Sequence, residues 1–261
     1  MNKILSRALI NYVFLSALRD KIIVSIFLII ALSLSLSVFL GSSAFIEKDQ
    51  FVAVYAAGAI RIATIIGLVL FIIFYIRRSF ESRDVDYLLS RPISRICFIL
   101  SHAVAFMMIA AIVGLVCVIA VYPFVSQLGG SYGLWALSLI VEFMIMACAA
   151  MFFSMVISSA AAGAIITLAF YTLSRLIGQL VNIVTSHKVG SMESDEGFRI
   201  IGEIMLAISL FIPRLDLMAQ TSWLIYGEQG AIGYYYVLIH GAVFCAILMT
   251  ATIIDLQKRE F

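Results

Sequence analysis

Apolar positions along this chain run on rather than alternate. Continuous apolar stretches cover Ile22 to Leu40, Phe51 to Ile76, Ile96 to Phe124, Leu134 to Ile157, Ala162 to Val184 and Tyr234 to Ile254, each of 19 residues or more. A helix rises about 1.5 Å per residue, so roughly 20 residues cross a hydrocarbon layer about 30 Å thick. The pattern therefore predicts six transmembrane helices. Membrane strands would show alternation over segments of about ten residues, which is missing here, and backbone polar groups in hydrocarbon have to be satisfied within each helix. An all-α integral membrane protein follows, with residues 1–261 as a single transmembrane domain.

Two segments outside the runs have patterns of their own. In residues 1–21, Lys3, Arg7 and Asn11 recur at a spacing of four, while Leu5, Leu9, Tyr12 and Leu15 recur on another face. Such amphipathic spacing, too short to span, predicts an interfacial helix that turns at Arg19, Asp20 and Lys21 into the first span; a merely solubilising tail is the plainer alternative. Residues 185–233 begin polar, from Thr185 to Arg199, and turn apolar from Ile200 to Ile212. That apolar part is too short to cross. With Pro213 closing it and Trp223, Tyr226, Tyr234, Tyr235 and Tyr236 following, it predicts one or two short re-entrant helices at the outer interface, where aromatic rings settle. Gly58, Gly67 and Gly163 are expected where helices approach closely.

Composition agrees with this picture, at 64% hydrophobic and 12% charged residues, against about 25% charged in soluble domains. Net charge is only +2, which gives no large basic surface for nucleic acid. The distribution of charge is more informative than its sum. Of the 17 basic residues, 11 fall on one set of loops and 4 on the other. Basic loops stay inside, so both termini are expected on the cytoplasmic side. Charges are scattered through the residues before the first apolar run, and that run is long enough to span, so it is expected to remain as a span rather than be cleaved as a signal peptide.

Little in the chain points to catalysis. No Gly-Lys pair occurs, so there is no phosphate-binding GxxxxGK[ST] loop, and HExxH is missing as well. No catalytic residue and no metal ligand set is assigned. The four cysteines lie in apolar runs at no ligand spacing, where a free thiol packs as a small hydrophobe. Three charges inside the spans stand out instead: Arg61, Glu142 and Arg175, each about 12 to 15 Å from the outer end of its run. An unpaired charge at such depth costs roughly 2.5 to 3.5 kcal/mol or more, so Glu142 is expected to pair with Arg61 or Arg175. Two readings stay open. One is a salt bridge that locks helix packing; the other is a surplus of positive charge that lines a pathway and attracts an anionic substrate.

The loop RRSFESRDVDYLLSRPISRICF, from Arg77 to Phe98, is the most informative polar segment. Pro92 disfavours helical geometry at Arg91 and suits the first turn of the following helix, which predicts a short helix from about Phe80 to Ser90. Phe80, Tyr87, Leu88 and Leu89 among Glu81, Arg83, Asp84 and Asp86 form the mixture of a helix docked into a partner's groove, with charges fixing its register. A solvated loop held by ordinary charge pairs would have the same composition.

Glu81 followed by Leu88-Leu89-Ser90-Arg91-Pro92-Ile93-Ser94-Arg95 resembles the loop of ABC-2 type transporter permeases, the membrane subunits of many bacterial ABC exporters. That family often has Gly-Thr where this chain has Val85-Asp86, and Lys where it has His102. The resemblance extends to architecture: interfacial helix, six spans, and short helices before the last span. It implies that residues 77–95 form a coupling helix seated in a cleft of a cytoplasmic ABC ATPase subunit, with Phe80, Glu81, Tyr87, Leu88, Arg91 and Arg95 carrying the coupling. It further implies a second permease copy, as homodimer or heterodimer, a bacterial cytoplasmic membrane, and ATP and Mg bound by the partner, with no cofactor in this chain. The resulting expectation is a permease subunit that is not itself an enzyme and couples ATP hydrolysis in the partner to export. Other classes remain: a subunit passing motion to an extracytoplasmic protein through residues 185–233, a stand-alone carrier using the intramembrane charges, and a membrane-embedded enzyme acting on lipid.

Overall fold

A computed structural model describes residues 5–19, 21–42, 48–82, 94–125, 130–187, 212–227 and 232–258. Seven long helices make up the bundle: α1 (Arg7–Arg19), α2 (Lys21–Ser42), α3 (Lys48–Glu81), α4 (Arg95–Val121), α5 (Gly130–Val156), α6 (Ala160–His187) and α7 (Tyr234–Lys258). No strand occurs among the described residues. Helices α2 to α7 are long and apolar enough to cross a membrane, while the 13 residues of α1 are not. The protein is thus an all-α, membrane-spanning bundle, and the six spans coincide with the six apolar runs to within a few residues.

Helix α5 is the hub. It packs against α3, α4, α6 and α7, and its last turns carry Ala147, Cys148, Ala149 and Ala150, all buried. Small side chains at consecutive positions let neighbours approach from several sides at once. Close approaches elsewhere are made by other glycines as well. A Cβ on Gly241 of α7 would collide with Val141 of α5, and one on Gly67 of α3 would lie 2.6 Å from Ile26 of α2. Gly41 meets Val52 in the same way, which pins the α2–α3 pair at both ends. Of the three glycines expected at contacts, Gly67 is therefore one. Gly163 is buried but makes only ordinary contacts, with Ile73 and Phe153, and a Cβ on Gly58 would have nothing within 4 Å.

Helix α1 lies along α4, with the backbone N–H of Ser6 donating to Ser101 Oγ at 3.0 Å. Its packed stripe is Leu9, Val13 and Ala17. Of the apolar face expected there, only Leu9 is covered, since Leu5, Tyr12 and Leu15 are exposed. Packing at a spacing of four needs a small residue where the helices come closest, and Ala17 supplies it.

At the end of the bundle rich in arginine, hereafter the basic end, α3 runs unbroken through Phe80 to Glu81, and Ser82 N–H still bonds to the Arg78 carbonyl at 2.9 Å. No separate helix starts at Phe80, because nothing between Arg77 and Glu81 breaks the ladder. Phe80 is half-buried against the core and Glu81 is exposed. Across the gap, α4 begins at Arg95 with a capped first turn, in which Ser94 Oγ accepts from Cys97 N–H at 3.1 Å. The expected helix end near Ser90, and with it Tyr87, Leu88 and Arg91, lies outside the described residues.

Candidate functional site

Three elements converge in the far half of the bundle, away from the basic end. Glu142 projects from α5 and is fully buried. One turn earlier on the same face stands Ser138, also fully buried. From α6 come Tyr171 and Arg175, again one turn apart, and from α3 comes Arg61. The structure thus brings together the three intramembrane charges, as their matching depths implied.

Their pairing is unequal. Arg175 Nε lies 3.7 Å from Glu142 Oε1, an ion pair without hydrogen-bond contact. No well-formed hydrogen bond reaches either Glu142 oxygen; Arg61 acts on the carboxylate by its charge, and the Tyr171 side chain lies near enough to interact with it directly. The hydrogen bonds of the two guanidiniums go elsewhere, to the backbone of the segment Ile212–Gly227. Arg61 Nη1 donates to the Ala219 carbonyl at 2.7 Å. Arg175 Nη1 donates to the Met218 carbonyl at 2.8 Å and to the Leu215 carbonyl. A third contact comes from α5, where Ser138 Oγ accepts the Ala219 N–H at 2.9 Å while donating to the Trp135 carbonyl.

Sequence explains why this segment offers its backbone. Pro213 has no N–H to donate, and a single 3₁₀ turn, Leu215–Leu217, forms before the chain turns extended at Met218. Ala219 then adopts φ +47°, the left-handed region that a residue with a Cβ enters at a cost of about 1 to 2 kcal/mol. That conformation aims its carbonyl at Arg61 and its N–H at Ser138 together, and these two bonds offset the strain. Leu215, Met218 and Ala219 are all buried. Ser138 lies eight residues into α5, so the turn sits about 12 Å below the start of that helix.

A second polar layer lies next to the turn. Arg214 Nη2 is 3.2 Å from Asp216 Oδ2, and the Arg214 backbone N–H donates to His240 Nε2 of α7, also at 3.2 Å. The Asp216 carboxylate occupies a notch at Gly178 of α6, where a Cβ would collide with Oδ2. Trp223, expected among interfacial aromatics, is instead 5% exposed and packs into the core, whereas Tyr226 is 73% exposed. A helical turn at Trp223–Tyr226 docks Trp223 against α5 and α3 and leaves Tyr226 outside.

Ser138, Ala219, Asp216 and Gly178 were not among the candidate residues. One signal for Ser138 was present, its position one turn before Glu142; the others depend on contacts between residues far apart in sequence.

At the basic end a related arrangement recurs. Arg77 Nη2 donates to the Ser154 carbonyl near the end of α5, and Arg95 Nη1 to the Leu256 carbonyl near the end of α7, at 3.3 Å. Arg95 therefore reaches across to a neighbouring span. Among the described residues, no group of three or more His, Cys, Asp or Glu could hold a metal ion. No protein-family model matches the chain, and no curated protein resembles it significantly in sequence.

Proposed function

We propose that this chain is the permease subunit of an ABC exporter in a bacterial cytoplasmic membrane. Both termini are cytoplasmic, two permease subunits form the transport unit, and a separate cytoplasmic ATPase binds ATP and Mg. The observation that carries the reading is the framing of residues 83–93, the segment whose sequence resembles an ABC-2 coupling helix. Helix α3 has 34 residues, about 51 Å, and so exceeds a hydrocarbon layer of about 30 Å by several turns. Helix α4 returns from the same side. Each arm is tied by an arginine to another span, Arg77 to α5 and Arg95 to α7. A push on the segment by a closing ATPase would reach α3 and α4 directly, and α5 and α7 through those two bonds. In this reading α1 is the interfacial helix, and Leu215–Ala219 belongs to a re-entrant segment on the outer side.

A second reading has support of its own: the same motion is handed to an extracytoplasmic protein through residues 185–233. The attachment of Ile212–Gly227 to α3, α5, α6 and α7 favours it, since motion of those spans would move the segment.

Affinity purification of the chain in mild detergent, with mass spectrometry and an ATPase assay, tests the class. An ATPase in roughly stoichiometric amount is expected. Glu81→Ala is expected to lower permease-stimulated ATP hydrolysis with the fold intact. Failure of any ATPase to co-purify, even after crosslinking from Tyr87 in membranes, would remove the reading and leave the carrier.

A further inference from the structure

We propose that Arg61 and Arg175 form a binding site for a phosphodiester monoanion, which the backbone carbonyls of the Leu215–Ala219 turn fill in this structure. The argument begins from charge. Two guanidiniums face one carboxylate, so the cluster carries one net positive charge at a depth where charge is costly to leave without a partner. The turn supplies acceptors but no charge: the Leu215, Met218 and Ala219 carbonyls are dipoles. Arg61 Nε, meanwhile, is buried without a hydrogen-bond partner. Hydrogen bonding is thus incomplete and the charge is uncompensated.

A ligand that answered both deficits would have one negative charge and several oxygens set around a single centre. A phosphodiester has that shape, with two charged and two ester oxygens to span two guanidiniums, and arginine forks suit it better than a lysine would. A dianion would overshoot the charge and meet Glu142. A carboxylate has the charge but only two coplanar oxygens to replace three carbonyls.

Turn and ligand compete for the same N–H groups, so a ligand stabilises the state in which the turn has left. The turn's own construction suits release. It holds Ala219 in a left-handed conformation, and losing the Arg61 and Ser138 bonds relieves that strain. Removal of the turn without a replacement would strand two arginines in the bundle, so opening is tied to the arrival of an anion. As a cargo site this rests on the permease reading; as an anion site it does not, because the experiment below uses the chain alone.

Hydrogen–deuterium exchange of the full chain in nanodiscs, without any ATPase, is the test. Three conditions are compared: phosphatidylcholine, phosphatidylcholine with phosphatidylglycerol, and phosphatidylcholine with soluble dimethyl phosphate. Exchange over residues 212–222 is expected to rise by about tenfold with phosphatidylglycerol, while the peptides of α3 and α5 stay protected. In Arg61→Gln, exchange should already be raised in phosphatidylcholine, with no further response to the anionic lipid. Arg61→Lys, which keeps the charge and loses the fork, should respond weakly; it serves if the Gln variant does not fold. Dimethyl phosphate acting as well would extend the site to any phosphodiester, whereas phosphatidylglycerol acting alone would make the ligand a lipid headgroup. Equal exchange in all three conditions, or an undiminished lipid response in both Arg61 variants, would overturn the proposal. Failure of an ATPase to co-purify would leave this result untouched.

Discussion

Two pairs of arginines, one at each end of the bundle, donate to backbone carbonyls, yet they do so on different terms. At the basic end, Arg77 and Arg95 reach carbonyls in the last turns of α5 and α7. A cation there complements the helix dipole and satisfies an acceptor that the helix leaves open, and Glu81, Ser82 and Ser94 at the ends of α3 and α4 are exposed. In the far half, Arg61 and Arg175 hold a turn that is not part of a long helix, next to a carboxylate with no exposed surface. The same chemical contact therefore closes off helix ends at one end and holds an irregular turn beside a buried carboxylate at the other.

Breaking the far-half cluster should give the largest effect. Glu142→Ala leaves the Arg175 charge unpaired beside Arg61, at an expected cost of about 3 to 5 kcal/mol, read as loss of folded protein or a large fall in the thermal midpoint in detergent. If Glu142→Ala melts like wild type, the carboxylate is dispensable and the two ends do not differ as described. Gly178→Ala should come next, at about 1 to 3 kcal/mol, because its methyl group collides with the Asp216 carboxylate; Gly58→Ala, with open space around it, is the control and should not destabilise. Ala219→Gly should raise stability by up to about 1 kcal/mol, since glycine accepts φ +47° without strain. A drop on that change would mean that the Ala219 side chain, rather than its backbone, holds the turn. The smallest stability effect is expected for Arg95→Gln, within about 1 kcal/mol, accompanied by reduced ATPase stimulation. Equal loss of stability in Arg95→Gln and Glu142→Ala would erase the contrast between the ends.

The spans were legible because hydrocarbon imposes a length and forbids unsatisfied backbone, and both demands appear directly in the order of residues. The intramembrane charges were legible for the same reason: a charge inside an apolar run is rare and must find a partner, and equal depths put Arg61, Glu142 and Arg175 in reach of one another. What could not be read was the choice between partners. Glu142 could have paired with either arginine by depth alone, and the packing of α5 against α6 brings Arg175 to it. Nor could the face of α1 be read, since its apolar residues exceed what one neighbour can cover and only contact with α4 selects Leu9, Val13 and Ala17. Trp223 was misplaced for a related reason: a hydropathy pattern says that an indole belongs near an interface, not that a docked turn carries it into the core.

Composition and order alone thus determined that this protein is helical, has six helices long and apolar enough to cross a membrane and holds three charges at one depth, because those properties follow from solvent and chain geometry, residue by residue. Only the tertiary structure decided what the charges hold. The contacts of Arg61 and Arg175 with Leu215, Met218 and Ala219 are to backbone carbonyls, which every residue possesses and no sequence pattern marks. They exist because Ala219 turns the chain left-handed and three neighbouring spans place guanidiniums and a hydroxyl where that turn arrives.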